Sequence, residues 1–182
     1  NTTRCYIVNC INQANVTGGG TRTAGIAGFA SYTNIINCYN EGKITGASAG
    51  GINLYYSSYG PECIKQSING GELAGTKNYA VSSSTGQTKY IVNCGNRNGG
   101  AVEDSALCTV TAATESDVAA WNSSVADYST VTDFCTLDNG MPLPAQLAHK
   151  WDSGTTTKAP TCTKDGEATY KCTDEGCGAT KT

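Results

Sequence analysis

Four copies of one short pattern constrain this chain more than anything else in its 182 residues. Ile7-Val8-Asn9-Cys10-Ile11-Asn12 recurs as Ile35-Ile36-Asn37-Cys38-Tyr39-Asn40, as the degraded Ile64-Lys65-Gln66-Ser67-Ile68-Asn69, and as Ile91-Val92-Asn93-Cys94-Gly95-Asn96. The steps between them are 28, 29 and 27 residues. The first three copies continue in step into Val16-Thr17-Gly18, Ile44-Thr45-Gly46 and Leu73-Ala74-Gly75. A second element puts glycine before an aliphatic residue: Ala24-Gly25-Ile26-Ala27-Gly28, then Gly50-Gly51-Ile52, then the weaker Tyr79-Ala80-Val81.

Each unit holds runs of four to six β-favouring residues parted by Gly, Asn and Ser, and no single run can bury its own apolar face. Stacked copies share one core, so the pattern predicts a solenoid whose equivalent strands pair in parallel about 4.8 Å apart. Asn12, Asn40, Asn69 and Asn96 would then form an amide ladder, and Asn9, Asn37, Gln66 and Asn93 a second. Gly18, Gly46 and Gly75 would sit at corners that need positive φ or close backbone approach. The expected fold is all-β: a parallel β-helix of about four coils.

Charge is scarce at 15 %, and it is unevenly placed. Residues 1–102 contain seven basic residues, three Glu (Glu41, Glu62, Glu72) and no Asp; the other 12 acids and five Lys follow. Composition thus shifts near residue 102. The basic excess before it is too dilute for a nucleic-acid footprint, so no nucleic-acid partner is expected. No stretch approaches the roughly 18 apolar residues of a membrane span. The chain starts on Asn1 rather than Met, which reads as a processed or excised fragment. With His149 the only histidine, two-histidine catalysis and three-histidine zinc sites are excluded within the chain.

Gly25-Ile26-Ala27-Gly28, the Ile-x-Asn-Cys-Tyr-Asn strand and the Gly-x-Ile-Thr-Gly corner resemble the GLUG-type repeats of Firmicutes surface proteins. The resemblance covers residues 1–105 and weakens along the chain: Gly51-Ile52-Asn53-Leu54 lacks the closing Gly, and Ser67 replaces Cys. It implies a right-handed β-helical stalk on an exported bacterial protein, cell-surface or secreted. It implies no catalytic residue and no cofactor.

Residues 106–147 read as a cap. Thr114-Glu115-Ser116-Asp117 is a helix start, followed by Val118, Trp121, Val125 and Tyr128 at helical spacing. A helix over 115–127 would lay this stripe over the solenoid's open end, since an uncovered last coil exposes core and strand edges. Leu137–Pro144 reads as a turn and a closing apolar strand. Residues 148–182 are a small Cys-containing module. His149-Lys150-Trp151, Thr161-Cys162-Thr163, Tyr170-Lys171-Cys172 and Cys177-Gly178 resemble short His-x-Trp repeats found in tandem on the same class of surface protein, but with four residues between the last two cysteines rather than two. Such a unit is too small for an adequate core and needs a disulfide, a metal or a neighbour.

Cys10, Cys38 and Cys94 share one repeat position, where Ser67 also stands, and read as buried free thiols, with a Cys10–Cys38 bridge as the alternative. Cys5, Cys63, Cys108, Cys135, Cys162, Cys172 and Cys177 are the disulfide candidates of an exported protein. His149 with Cys162, Cys172 and Cys177 is also a valid structural zinc set, against which stands a plain Cys–Cys bridge beside an exposed histidine. The leading functional reading is a non-enzymatic structural or adhesive module contacting a host or neighbouring-cell surface, protein or glycan. A glycan-binding module is the alternative, with Tyr55, Tyr56 and Tyr59 as candidate contacts in a Tyr-rich stretch, set against ordinary strand packing. A polysaccharide lyase or glycosidase fits less well. Such enzymes place carboxylates at defined separation or bind Ca²⁺ through them, and Glu41, Glu62 and Glu72 share no repeat position.

Overall fold

The computed structural model describes residues 5–57, 64–84, 90–131, 134–138, 140–175 and 177–182, with residues 56 and 57 as backbone only. It divides into two compact units, Asn1–Gln146 and Leu147–Thr182. The first unit is rich in parallel sheet, and among the described residues it holds one α-helix.

Strands of successive repeats pair in the register that the repeat dictates. Ile7 lies opposite Ile35, Ile35 opposite Ile64, and Ile64 opposite Ile91, all parallel. One turn further on, Asn12, Asn40, Asn69 and Asn96 face one another in order. A third set aligns Val16, Ile44 and Leu73. Because side chains alternate along a strand, this register sends one aliphatic column inward. Ile35, Ile64, Ile52, Val81 and Ala80 are fully buried, joined by Cys38, Cys94 and Leu107.

The amide ladder forms along its whole length. Asn12 Nδ2 donates to Asn40 Oδ1 at 2.8 Å, Asn40 Nδ2 to Asn69 Oδ1 at 2.8 Å, and Asn69 Nδ2 to Asn96 Oδ1 at 3.0 Å. The second nitrogen hydrogen of each goes to a turn carbonyl just downstream: Ala14, Gly42, Gly71 and Gly100. Asn40 and Asn69 are completely buried, so the ladder meets the polar demand of a dry corner.

The second column serves another purpose. Asn9, Asn37, Gln66 and Asn93 all have φ between 53° and 55°. They supply the left-handed residue that bends the chain in each repeat, a conformation Asn tolerates better than most side chains. Only one rung of the expected second ladder forms, Asn37 Nδ2 to Asn9 Oδ1 at 2.8 Å. The corner glycines do not take this role: Gly46 and Gly75 have ordinary φ and are needed for space. A Cβ on Gly75 would stand 2.8 Å from the Gly46 carbonyl oxygen. Asn93→Val should therefore cost about 1–2 kcal/mol, and Asn93→Gly should be nearly neutral, read as shifts in the denaturation midpoint.

Two features depart from the expected cap. The helix spans Glu115–Ser123, started by a reciprocal Thr114–Asp117 capping box, and ends short of 127 because i→i+3 bonds tighten the chain there into turns. Val118, Trp121 and Val125 are buried as the stripe requires, whereas Tyr128 is half-exposed and stacks on Tyr6 at 4.6 Å. The segment meets the left-handed corner column through its side chains. Ser124 Oγ donates to Gln66 Oε1 at 2.6 Å, Cys135 Sγ to Asn37 Oδ1 at 2.8 Å, and Asn9 Nδ2 to Ser129 Oγ at 3.1 Å. These bonds take the amide groups that a second ladder would have used.

The open strand edge is closed by one carboxylate instead. Ile52 and Asn53 donate their N–H groups to the carbonyls of Ala80 and Val81, which leaves the Ala80, Val81 and Ser82 N–H groups facing a next strand. Asp104 accepts all three, at 2.7–2.8 Å, and is fully buried. Beside it Val110 N–H donates to the Cys94 carbonyl, extending the stack by one short segment. A hairpin of Cys135–Asp138 with Met141–Pro144 completes the unit, turning at Gly140.

In the second unit Thr155–Lys158, Glu167–Lys171 and Thr180–Lys181 make an antiparallel sheet. None of its described residues is fully buried, so it lacks an apolar core.

Candidate functional site

The described cysteines depart from the expected disulfide framework. Cys5, Cys108, Cys135, Cys162, Cys172 and Cys177 are all free thiols; Cys63 lies outside the described residues. The reason is local: Cys135 donates to Asn37, Cys108 to the Asp104 carbonyl at 3.8 Å, and Cys177 lies against His149. Burial pushes the Cys108 and Cys135 thiols up to about 12, so both stay protonated and inert.

The shared repeat position behaves differently at the edge of the stack. Cys38 and Cys94 are buried, as a core position implies, but Cys10 in the first coil is exposed. Cys38 Sγ donates to the Ile36 carbonyl at 3.3 Å, and the neighbouring Cys38 thiol lowers the Cys10 pKa to about 6, while Cys10 and burial raise that of Cys38. Cys10 therefore loses its proton more readily than an ordinary thiol. Its alkylation by iodoacetamide should be fast at pH 7 and fall as pH drops through about 6, and Cys38→Ala should move that midpoint upward toward an ordinary thiol, followed by mass spectrometry of the Cys10 peptide.

Of the three candidate tyrosines, Tyr55 can be placed; Tyr59 and the Tyr56 side chain lie outside the described residues. Ala27–Ser31 and Asn53–Ser57 pair in parallel with Phe29 opposite Tyr55. Alternation turns Ala30 into the core and leaves Phe29 and Tyr55 49 % and 44 % exposed. Their rings stack with centroids 5.5 Å apart and planes within 8°. The Arg22 guanidinium stands 5.0 Å and 5.1 Å from the two centroids. The result is an outward apolar platform edged by a cation with five N–H donors, suited to stacking on a flat apolar face and bonding to hydroxyl or acidic oxygens.

Phe29 and Arg22 escaped the sequence reading, although Phe29 was within reach: it follows Ile26 by the same three residues that separate Tyr55 from Ile52. Glu72 is an exposed residue paired with Lys43 at 2.8 Å, Glu41 is an exposed turn residue, and Glu62 lies outside the described residues.

In the second unit the structure brings together three of the four residues of the zinc set. The ligating atoms of His149, Cys172 and Cys177 lie within 4.8 Å of one another, with Cys177 Sγ 3.2 Å from His149 Nδ1. Cys162 is exposed on a separate turn closed by Thr161 and Lys164, and falls outside this group. No protein-family model matches the chain, and neither a curated protein nor a solved structure matches it.

Proposed function

We propose that this chain is a non-enzymatic structural or adhesive module of a bacterial cell-surface or secreted protein, with its first unit wound as a right-handed parallel β-helix of about four coils, of the kind the GLUG-type repeats suggest. The observation that carries the reading is the in-register stacking of the repeats. Isoleucines, amides and corner residues at equivalent positions are all engaged in holding one coil on the next. A scaffold of this kind presents side chains at fixed spacing on a surface poor in charge, which suits display and contact outside the cell. The test is attachment of the purified chain, immobilised on beads, to host epithelial and neighbouring bacterial cells. Saturable attachment is expected, and its absence on every surface tried would remove adhesion.

Carbohydrate binding is the second reading, and the Phe29–Tyr55–Arg22 platform favours it. Loss of glycan-array signal in Phe29→Ala, Tyr55→Ala and Arg22→Ala variants is the expected result. A signal unchanged in all three would refute it, as would release of sugar products by the purified chain, which would make the protein an enzyme.

A further inference from the structure

We infer that His149, Cys172 and Cys177 form a zinc site in the C-terminal unit, independent of the functional reading above. The backbone assembles the site before any metal arrives. His149-Lys150-Trp151-Asp152 runs against Lys171-Cys172-Thr173: Asp152 N–H donates to the Lys171 carbonyl at 2.9 Å, and Thr173 N–H to the Lys150 carbonyl at 2.7 Å. Trp151 and Cys172 pair across these strands, and Cys172 N–H is tied to the Ala179 carbonyl on the other side. A tight turn, with Cys177 N–H on the Asp174 carbonyl at 3.1 Å, then folds the second sulfur back toward the first and toward the imidazole.

Two separate observations point to a metal rather than to a Cys172–Cys177 bridge. First, a disulfide has no use for an imidazole nitrogen, yet His149 Nδ1 converges on the two sulfurs. Two thiolates and one imidazole are the soft and borderline donors that zinc selects, and two thiolates neutralise its charge. Second, the unit has no buried core among its described residues, and its aromatic residues Trp151 and Tyr170 are only half-buried beneath Lys181. A unit so built gains much of its stability from a cross-link among its strands.

Binding replaces two S–H bonds with two Zn–S bonds and releases two protons to solvent, while neutral His149 gives its Nδ1 lone pair; no electron is transferred. Without metal the Cys172 thiol donates to Asp174 Oδ2 at 3.6 Å, and the other oxygen of Asp174 pairs with Lys150 at 3.3 Å; zinc takes the place of that S–H proton.

The experiment uses the whole chain with its thiols reduced, titrated with Zn²⁺ against a chromophoric chelator, and alkylation mapped by mass spectrometry with and without the metal. One tight zinc per chain is expected, together with at least tenfold slower alkylation of Cys172 and Cys177 and an unchanged rate at Cys162. Because this protection is read on the unaltered protein, misfolding of a variant cannot imitate it. Cys177→Ser and His149→Ala should weaken binding at least tenfold, and Cys162→Ser and Cys10→Ser should not. Failure of the reduced chain to take up zinc, or alkylation of Cys172 and Cys177 as fast with the metal as without it, would overturn the assignment.

Discussion

Asp104→Ala is expected to destabilise the first unit by about 3 kcal/mol or more, measured by chemical denaturation, because it leaves three buried N–H donors without an acceptor at about 1–3 kcal/mol each. Those donors belong to Ala80, Val81 and Ser82, fully buried residues whose carbonyls already serve the preceding strand. Water cannot replace the carboxylate without opening the core, since Ala80 and Val81 pack with Ile52 and Leu107. Asp104→Asn should fall between the two, because its oxygen can serve part of the edge while its own N–H₂ faces other donors. A pH dependence accompanies this. Burial outweighs the three donors and holds the Asp104 carboxyl above its usual range. A raised folded pKa means that the folded state holds the proton more tightly. The stability linked to this group is therefore full below the unfolded pKa of 3.8 and declines as pH rises through the folded value. The stability of the unaltered protein minus that of Asp104→Asn should accordingly shrink from acid to neutral pH.

The second large effect is expected at Asn40. Replacement by alanine removes the middle of the amide ladder, which strands the Asn69 Oδ1 and Gly42 carbonyl acceptors in a buried corner and leaves a void. A cost of about 3–5 kcal/mol follows from two unmet buried groups and the lost packing. Asn12→Ala takes one donor from Asn40 Oδ1 in the more exposed first repeat and should cost less, about 1–2 kcal/mol. The contrast between two identical substitutions one coil apart separates burial within the stack from any general loss of asparagine. Equal costs at the two positions would contradict it.

What could be read in advance follows from where the information is repeated. The register of Ile7 on Ile35 and of Asn12 on Asn40 is carried by four aligned copies, and pairing those copies in parallel leaves no freedom in it. The bend at Asn9, Asn37, Gln66 and Asn93 is visible as a column, but the column reads equally well as a second ladder. A positive φ and a hydrogen-bonding amide favour the same residue type, so sequence cannot separate them. Asp104 occurs once and has no pattern around it. Its one trace was compositional: it is the first aspartate in the chain, standing where the acid-free region ends. The helix position was legible from its start signal and stripe, but the surface it covers depends on Ser124 and Ser129 finding amides far away in sequence. In the tail, donor type picked out four residues while only three converge, because Cys162 is held apart by a turn of its own.

The central claim is that each repeat lies on the next, residue for equivalent residue. Isoleucine methyl labelling with nuclear Overhauser spectroscopy tests it directly. Parallel stacking at about 4.8 Å per step predicts contacts from Ile7 to Ile35, Ile35 to Ile64 and Ile64 to Ile91, with none between members two steps apart. Contacts that skip a coil, or the absence of the Ile35–Ile64 contact in the folded protein, would contradict it.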